Sequence, residues 1–401
     1  MNIQEKLHKR NIEHFSHNPE FQKRTEHEVR YMILEPEAVA DYLSGADRIE
    51  QTYISSPLDE YSLRVRKIET QSGEAQHFAS LKSRGSIENG ALKRIEIETP
   101  INEDAFALFA ETTDYPTLHK YRAHIGEGAT IDFIDGLSTP LLEIEGSDPA
   151  ETLQYFSDLS LESVTHEASA LNETLAYELA NMPLPEQPPT FNECVNTVME
   201  SLLLQYAKNE SPFVTVGVAG GSGSGKTTVS NEVSRRVVEL FGEQYAPIVL
   251  STDDYHRGKK YLETTYGAPW TNWDHPLTYD TEALAHDLDL LALGHPLLKR
   301  HFDFQQEEVV YDEAFTPSPF IIIEGIYAGS DDLARHRGEL FEMPTGHATA
   351  IGRDLMRIIT EGRANAAFGT PEERLKYQME TALPTYLKYV KGLGWGDIDI
   401  L

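Results

Sequence analysis

The sequence GGSGSGKTT, residues 220–228, has the spacing of a loop that binds phosphate groups. Its glycines allow backbone N–H groups to turn toward phosphate oxygens, and the positive end of the following helix attracts the same charge. Lys226 would reach the β- and γ-phosphates of a nucleotide, and the Thr227 hydroxyl would bind Mg²⁺. The motif follows the strand-like FVTVGVAG and precedes the helical VSNEVSRRVVELF, which is the context that it requires. We therefore predict that ATP binds at Gly220, Gly221, Ser222, Gly223, Ser224, Gly225, Lys226, Thr227 and Thr228, with Lys226 also acting in catalysis.

Two acidic residues follow further strand-like segments. Asp253 comes just after APIVLS, and Glu324 is the last residue but one of FIIIEG. Because ligands bind at the carboxyl ends of parallel strands, both carboxylates are candidates for the same site. We predict that Asp253 accepts the proton of an acceptor hydroxyl and that Glu324 joins Thr227 as a Mg²⁺ ligand. A turn or cap role for Asp253, or a buried pairing of Glu324 with a neighbour, remains the structural alternative.

Five segments in order resemble the uridine kinase and phosphoribulokinase family. They are Gly220–Thr228, Ser251–Asp253, Asn272–Asp280, His301–Phe304 and Ile321–Ala328. The resemblance implies a parallel-sheet P-loop kinase that uses ATP and Mg²⁺, with Asp253 as the general base toward a nucleoside 5′-hydroxyl. It implies further that Asp274 contacts the sugar, that Phe302 and Asp303 belong to the acceptor segment, and that Arg353, Arg357 and Arg363 form a lid over the phosphates.

The acceptor segment departs from the family pattern. Uridine kinases have a histidine three residues after this segment that reads the base, whereas Phe302-Asp303-Phe304 is followed by Gln305, Gln306 and Glu307. The aromatic pair after the catalytic aspartate is Tyr255-His256 here. The sequence therefore predicts kinase chemistry and leaves the acceptor open between a nucleoside and a related sugar.

The first half of the chain carries charges at alternating positions of its strand-like segments. Acids and bases occur in similar numbers, with apolar residues between them, at Glu26, Glu28, Arg30, Arg64, Arg66, Lys82, Arg94, Glu96, Glu98, Lys120, Arg122, Asp132, Glu143 and Glu145. Successive side chains of a strand point to opposite faces, so each strand has one apolar and one charged face. An antiparallel sheet with one solvated face would explain a single strand. The mixture of signs across the set favours a closed barrel with its charges inward and its apolar face against helices such as Glu162–Ala180.

The same series resembles the CYTH, or triphosphate tunnel metalloenzyme, family. Glu26, Glu28 and Arg30 resemble its E-x-E-x-K signature, with arginine in place of lysine, and the remaining charges follow in the family's order. The resemblance implies an eight-stranded antiparallel tunnel in which Arg30, Arg64, Arg66, Lys82, Arg94, Lys120 and Arg122 bind a triphosphate group. Glu26, Glu28, Asp132, Glu143 and Glu145 would bind Mg²⁺ or Mn²⁺, whose activated water attacks phosphorus. Triphosphatase, pyrophosphatase and adenylyl cyclase activities all occur in the family.

Composition limits the partners. The 401 residues contain 34 Lys and Arg against 65 Asp and Glu, a formal net charge of −31, which disfavours nucleic acid. The only cysteine, Cys194, excludes an internal disulfide, and neither a signal peptide nor a long apolar run is visible. We expect a cytoplasmic protein with small nucleotide, nucleoside and polyphosphate ligands and no membrane partner. The resemblance to uridine kinases leaves a homo-oligomer open.

The sequence thus predicts two domains, an N-terminal antiparallel β-barrel of the α+β class and a C-terminal α/β P-loop domain with a parallel sheet. A proline-rich stretch, NMPLPEQPPT, separates them. The predicted division is an N-terminal extension at 1–24, the tunnel at 25–180, a linker and helix at 181–212, and the kinase at 213–401. Three functions follow: an active kinase, an active tunnel hydrolase beside a regulatory kinase domain, and a tunnel that only senses polyphosphate.

Overall fold

The protein is described here by a computed structural model. It describes residues 22–111, 115–126, 128–146, 149–167, 171–208, 213–303, 306, 308–361 and 369–392. The chain divides into two compact units, of which the first contains residues 1–186 and 347–380 and the second contains 187–346 and 381–401. The segment 347–380, which the sequence-based division placed with the kinase, therefore belongs to the unit of the barrel.

Among the described residues of the first part of the chain there are ten strands, three α-helices and 3-10 helices that include Pro36–Gly45. The strands are β1 (Thr25–Ile33), β2 (Asp47–Tyr53), β3 (Tyr61–Glu69), β4 (Ala75–Ser83), β5 (Ser86–Glu88), β6 (Ala91–Pro100), β7 (Thr117–Gly126), β8 (Ala129–Ile134), β9 (Leu141–Glu145) and β10 (Leu161–Ser163). The helices are α1 (Glu103–Glu111), α2 (Pro149–Leu153) and α3 (Leu171–Leu179).

Eight of these strands close into the predicted antiparallel barrel. They follow the order β1-β9-β8-β7-β2-β3-β4-β6, and pairing of β6 with β1 completes the ring, while β10 and β5 extend it. The outward residues form an apolar core in which Val29, Ile131, Leu142 and Ile144 are buried against side chains that include Phe156. The period-two pattern of the sequence is therefore the inside–outside alternation of a barrel.

Helix α3 covers one end of the barrel, whereas the sequence analysis expected this region to pack on the outer face. Its Ala176 belongs to one buried apolar cluster with Tyr53, Leu118, Ile134 and Leu141. These four positions alternate in phase with the inward-facing charges of the same strands, so their side chains point inward at that end. The expectation was wrong because the inward pattern changes from charged to apolar at the strand ends, which creates an apolar surface that α3 buries.

The second unit has a four-stranded parallel sheet between helices. Its elements before residue 347 are α4 (Phe191–Lys208), β11 (Val214–Ala219), α5 (Lys226–Phe241), β12 (Ile248–Ser251), α6 (Lys259–Tyr266), α7 (Thr281–Ala292), β13 (Leu298–Asp303), β14 (Glu308–Ala314), β15 (Phe320–Gly325) and β16 (Leu340–Glu342). The sheet order is β12-β15-β11-β16, and β13 pairs with β14 in a separate antiparallel hairpin. Helices α4 and α5 cover one face of the sheet, while Leu284 and Leu288 of α7 pack in the other core. The predicted α/β fold is confirmed.

The chain then enters the first unit and returns to the second. Helices α8 (His347–Glu361) and α9 (Pro371–Tyr377) lie in the first unit, and α10 (Leu383–Tyr389) lies in the second. Helix α8 buries Leu355 and Ile358, and α9 buries Leu375. Among the described residues, no helix is both long enough and apolar enough to cross a membrane.

Candidate functional sites

The phosphate-binding motif forms the turn between β11 and α5. All six residues of β11 are buried, and Gly225, with φ of 95°, immediately precedes Lys226 at the start of the helix. Gly220 has φ of 152°, and a Cβ there would lie 2.7 Å from Ser224 Oγ. The two end glycines are thus required by backbone conformation and by space. The Lys226 ammonium donates to the carbonyl of Gly221 at 2.9 Å, so its charge lies over the loop.

Thr227 and Glu324 meet at the edge of the sheet. Thr227 Oγ1 donates to Glu324 Oε1 at 3.2 Å. Glu324 is buried at the end of β15, where it is in register with Ser251 of β12 and Val218 of β11. The two oxygen ligands fit a Mg²⁺ ion, which prefers a hydroxyl and one or two carboxylates in addition to phosphate oxygens.

Asp253 lies in the turn that follows β12. Its backbone N–H donates to Ser251 Oγ at 3.3 Å. Its carboxylate keeps solvent-accessible surface, yet protein surrounds it on most sides, and this burial raises its pKa to about 6. Lys226 acts in the opposite direction, whereas the Glu324 and Asp274 carboxylates raise the pKa further. A carboxylate with this pKa is a better proton acceptor near neutral pH than an ordinary aspartate.

The neighbouring Asp254 has a structural role. Its Oδ1 atom lies 3.0 Å from His301 Nδ1 and accepts from the backbone N–H of Phe302 at 3.3 Å. Its carbonyl accepts from Arg300 Nε at 2.9 Å. These contacts attach the β13–β14 hairpin to the turn that carries Asp253. Of the two aspartates in sequence, the structure therefore leaves Asp253 as the candidate base.

An aromatic wall lies beside the predicted acceptor residues. The His256 ring lies 4.5 Å from the Phe302 ring and is stacked on Trp273 at 5.5 Å between centroids. Tyr327 Oη donates to the backbone carbonyl of Asp274 at 2.6 Å, which orients the turn that carries this aspartate. The sequence analysis noted His256 only as part of the pair that follows Asp253, and it assigned neither His256 nor Trp273 nor Tyr327 to the site. Their proximity to Asp253, Asp274 and Glu324 along the sequence was the only available signal.

The three arginines that were predicted to form a lid differ in where the structure places them. Arg353 lies on α8 in the unit of the barrel, where it forms a two-atom contact with Glu60 at 2.5 and 3.1 Å. Arg357 is exposed on the same helix. Arg363 lies outside the described residues. A role of these arginines toward nucleotide phosphates stays a prediction.

The barrel interior contains the charges that the alternation placed there, and they form one connected network of ion pairs. In its first part, Asp132 contacts Lys120 at 2.6 Å and Arg122 at 2.7 Å. Glu143 contacts Arg122 at 3.2 Å and Arg30 at 2.6 Å. Asp132 and Glu143 are therefore paired with lysine and arginine side chains in this structure, whereas the sequence analysis assigned them to a metal ion.

The second part of the network lies on the β6 side of the barrel and is joined to the first by the ion pair between Arg30 and Glu28. Glu26 contacts Lys82 at 3.0 Å and Arg94 at 2.5 Å, and Lys82 also contacts Glu96 at 3.1 Å. Arg94 reaches Glu28 at 2.6 Å. Such a cluster of alternating charges holds cationic side chains in fixed positions within the barrel, where a polyanion would meet them with little reorganisation.

Further along the interior, Glu98 pairs with Arg66 at 2.6 Å and accepts from Ser80 at 2.6 Å. Arg64 is buried beside Tyr53, and this phenol in turn accepts from Gln51 Nε2 at 2.7 Å. Gln51, Tyr53 and Ser80 were not predicted, because uncharged residues at inward positions carry no signal in a charge pattern.

Glu26, Glu28 and Glu145 form a carboxylate cluster. They offer ligand oxygens that all lie within 4.8 Å of one another. Burial and the neighbouring carboxylates, Glu143 first among them, raise the pKa of Glu145 to about 8. Arg94 already pairs with Glu26 and Glu28, and Glu145 adds a third carboxylate whose repulsion a divalent cation with oxygen preference would relieve, so the three residues fit Mg²⁺ or Mn²⁺.

The second half of the chain matches known kinases in sequence. Residues 215–391 match the profile of the Phosphoribulokinase / Uridine kinase family. A uridine kinase of Deinococcus deserti is 33% identical over 182 residues, which cover 45% of this chain and 82% of that relative. The chain belongs to this family. A uridine kinase of Staphylococcus epidermidis is 36% identical over 121 residues, which cover 30% of this chain and 56% of that relative.

The first half has a likeness among solved structures. An inorganic triphosphatase aligns over 40% of this chain and 97% of its own, with 20% identity and a TM-score of 0.23. A TM-score this low supports no conclusion about activity. The match of residues 215–391 to the kinase family confirms the kinase-family resemblance that the sequence analysis predicted. The tunnel-family resemblance stays an interpretation of the closed barrel and its interior charges.

Proposed function

We propose that the protein is an ATP- and Mg²⁺-dependent kinase that transfers the γ-phosphate to a hydroxyl of a nucleoside or a related sugar. One observation carries the proposal. Lys226, Thr227, Glu324 and Asp253 lie at the carboxyl ends of three neighbouring strands, β11, β15 and β12, at one edge of a parallel sheet. A phosphate cradle, two metal ligands and a base at one edge are the parts that phosphoryl transfer requires.

Each residue of this site has a distinct task. The loop amides and Lys226 bind the nucleotide phosphates. Thr227 and Glu324 would hold Mg²⁺, which neutralises charge that develops on the phosphates. Asp253 orients the acceptor hydroxyl and takes its proton, for which its raised pKa suits it. Exclusion of water from this site would favour transfer over hydrolysis.

The acceptor is proposed to be a flat-ringed nucleoside such as uridine or cytidine, or a sugar of similar size. The aromatic wall formed by His256, Trp273 and Phe302 favours an acceptor with a planar ring, and Asp274 favours one with sugar hydroxyls. The curated relatives are uridine kinases. The test is ADP formation from Mg-ATP with single acceptors drawn from ribonucleosides, deoxyribonucleosides and pentoses. If no acceptor increases ADP formation above the acceptor-free rate, the proposal fails.

A second function is favoured by the carboxylate cluster of the barrel. Glu26, Glu28 and Glu145 beside fixed arginines and lysines fit a site that binds an inorganic or organic polyphosphate with a divalent metal and hydrolyses it. Binding without hydrolysis, as a sensor, is the alternative. Phosphate release from tripolyphosphate with Mg²⁺ or Mn²⁺ decides between them. Glu28→Gln should abolish release by a hydrolase, whereas binding without release in the unchanged protein would support the sensor.

A further inference from the structure

Residues 343–353, here called the strap, begin at the nucleotide loop. The backbone N–H of Met343 donates to the carbonyl of Ala219, the residue just before the loop, at 2.8 Å. Thr345 Oγ1 donates to the carbonyl of Ser224, near the other end of the loop, at 2.8 Å. A Cβ on Gly220 would lie 3.1 Å from Met343. The start of the strap thus holds the loop conformation at both ends.

Four positions after Thr345, the strap is attached to the barrel. Thr349 is buried, donates to Asp59 Oδ1 at 2.9 Å and accepts from the backbone N–H of Glu60 at 3.0 Å. Arg353, one helical turn later, makes its two-atom contact with Glu60. At Gly352 a Cβ would lie 2.3 Å from the Tyr61 ring, so only glycine allows α8 to pack against the start of β3.

The barrel loop that holds the strap is itself tied to residues beside the tunnel cations. Arg84 follows β4, two residues after Lys82. It donates to the carbonyls of Ser56 at 2.6 Å and Asp59 at 2.9 Å. The backbone N–H of Leu63, next to Arg64, donates to Ser55 Oγ at 3.0 Å. A change in the positions of Arg64 or Lys82 therefore acts on the same backbone that positions Asp59 and Glu60.

We infer that the strap couples the two sites, so that a polyphosphate bound in the barrel changes the affinity of the nucleotide loop for Mg-ATP. Thr349 and Thr345 act as positioning residues in this coupling. The path from Lys82 and Arg64 to Ser224 is a continuous series of covalent and hydrogen-bonded steps, through which a displacement at one site would reach the other. Coupling of this kind is reciprocal, and its usual size is about five- to 150-fold in affinity. The inference rests on the proposed binding of polyphosphate in the barrel.

The test measures the Kd of Mg-AMP-PNP by calorimetry with and without saturating imidotriphosphate, neither of which is readily hydrolysed. We expect the Kd to change about fivefold or more in the unchanged full-length protein. Thr349→Val, which removes the hydroxyl at similar volume, and Glu60→Gln should reduce the change to less than about twofold while both ligands still bind. Thr349→Ser should restore it. Thr360→Val is the matched control, because the Thr360 hydroxyl donates to the carbonyl of Met356 within α8 itself.

Two further variants separate the possible failures. In Lys226→Ala, imidotriphosphate should still bind, which shows that it occupies the barrel. In Arg64→Gln the effect on Mg-AMP-PNP should disappear, whereas direct competition at the nucleotide loop would persist. If both ligands bind and neither changes the affinity of the other, the coupling is overturned and the two proposed sites stand. If imidotriphosphate does not bind to Lys226→Ala, the barrel proposal fails and the coupling fails with it.

Discussion

Thr227 Oγ1 lies 3.2 Å from the Glu324 carboxylate, although 97 residues separate them in sequence. One residue opens a helix after β11, and the other ends β15, which pairs with β11 in parallel. The sheet therefore brings a hydroxyl and a carboxylate to one point beside the phosphate loop. This pair is the structural core of the proposed kinase site.

Removal of the Thr227 hydroxyl should impair catalysis more than nucleotide binding. Thr227→Val is expected to lower kcat on the order of 10²-fold, because one charge-stabilising ligand is lost in the transition state. Thr227→Ser keeps the hydroxyl and should retain most of the activity. Steady-state kinetics at varied Mg²⁺ measure both variants. Equal activity of the valine and serine variants would contradict the assignment.

Asp253 should govern the pH dependence of transfer. Its carboxylate is the active form, and its pKa is raised to about 6, so kcat/KM should fall as the pH drops below about 6 and level off above it. Asp253→Asn should lower kcat by about 10²- to 10⁴-fold and remove this pH dependence. A pH–rate profile between pH 5 and 9 provides the measurement. The neighbouring variant Asp254→Asn should change the stability of the protein, because Asp254 contacts the β13–β14 hairpin, and it should leave the pH–rate profile unchanged.

The carboxylate cluster should make the thermal stability of the barrel depend on metal. Because a ligand that binds only the folded state stabilises it by about 2.7 kcal/mol at 100 times its Kd, Mn²⁺ should raise the Tm of the barrel transition by several degrees. Glu28→Gln should remove most of that increase. Scanning calorimetry with and without chelator measures it. An identical Mn²⁺ effect in wild type and variant would place the metal elsewhere.

The buried contacts of Asp132 should dominate the stability of the barrel. Burial raises the pKa of Asp132, but Arg122 and Lys120 outweigh it and lower the pKa to about 2. Its stabilising contribution is thus present above the usual aspartate pKa and is lost as the pH falls toward 2. Asp132→Asn removes the carboxylate that the buried Lys120 contacts and one of the two that Arg122 contacts, and it should cost about 3–5 kcal/mol in the free energy of unfolding.

Urea unfolding followed by circular dichroism measures this cost. The matched control is Glu69→Gln, because Glu69 pairs with Arg48 at 3.9 Å at the exposed edge of the same barrel. That change should cost less than about 1 kcal/mol. A cost for Asp132→Asn as small as that of the control would contradict the assignment of a tightly paired interior.

Local patterns predicted most of the fold and the contiguous part of the site. Lys226 and Thr227 belong to one motif, and the period-two charges of the barrel strands indicate an interior. Local sequence patterns could not predict contacts between residues that lie far apart in the sequence. Nothing near Arg353 indicates that it pairs with Glu60, 293 residues away, and nothing near His256 indicates its stacking on Trp273. These contacts depend on the tertiary arrangement, which local patterns do not determine.

The central claim is that phosphoryl transfer occurs at the Lys226 site. The most direct measurement is ADP formation from Mg-ATP, with and without the best acceptor, in wild type, Lys226→Ala and Glu28→Gln. Acceptor-dependent ADP formation that is lost in Lys226→Ala and kept in Glu28→Gln is the predicted result. Nucleotide hydrolysis that ignores the acceptor, survives Lys226→Ala and is lost in Glu28→Gln would place the chemistry in the barrel and contradict the claim.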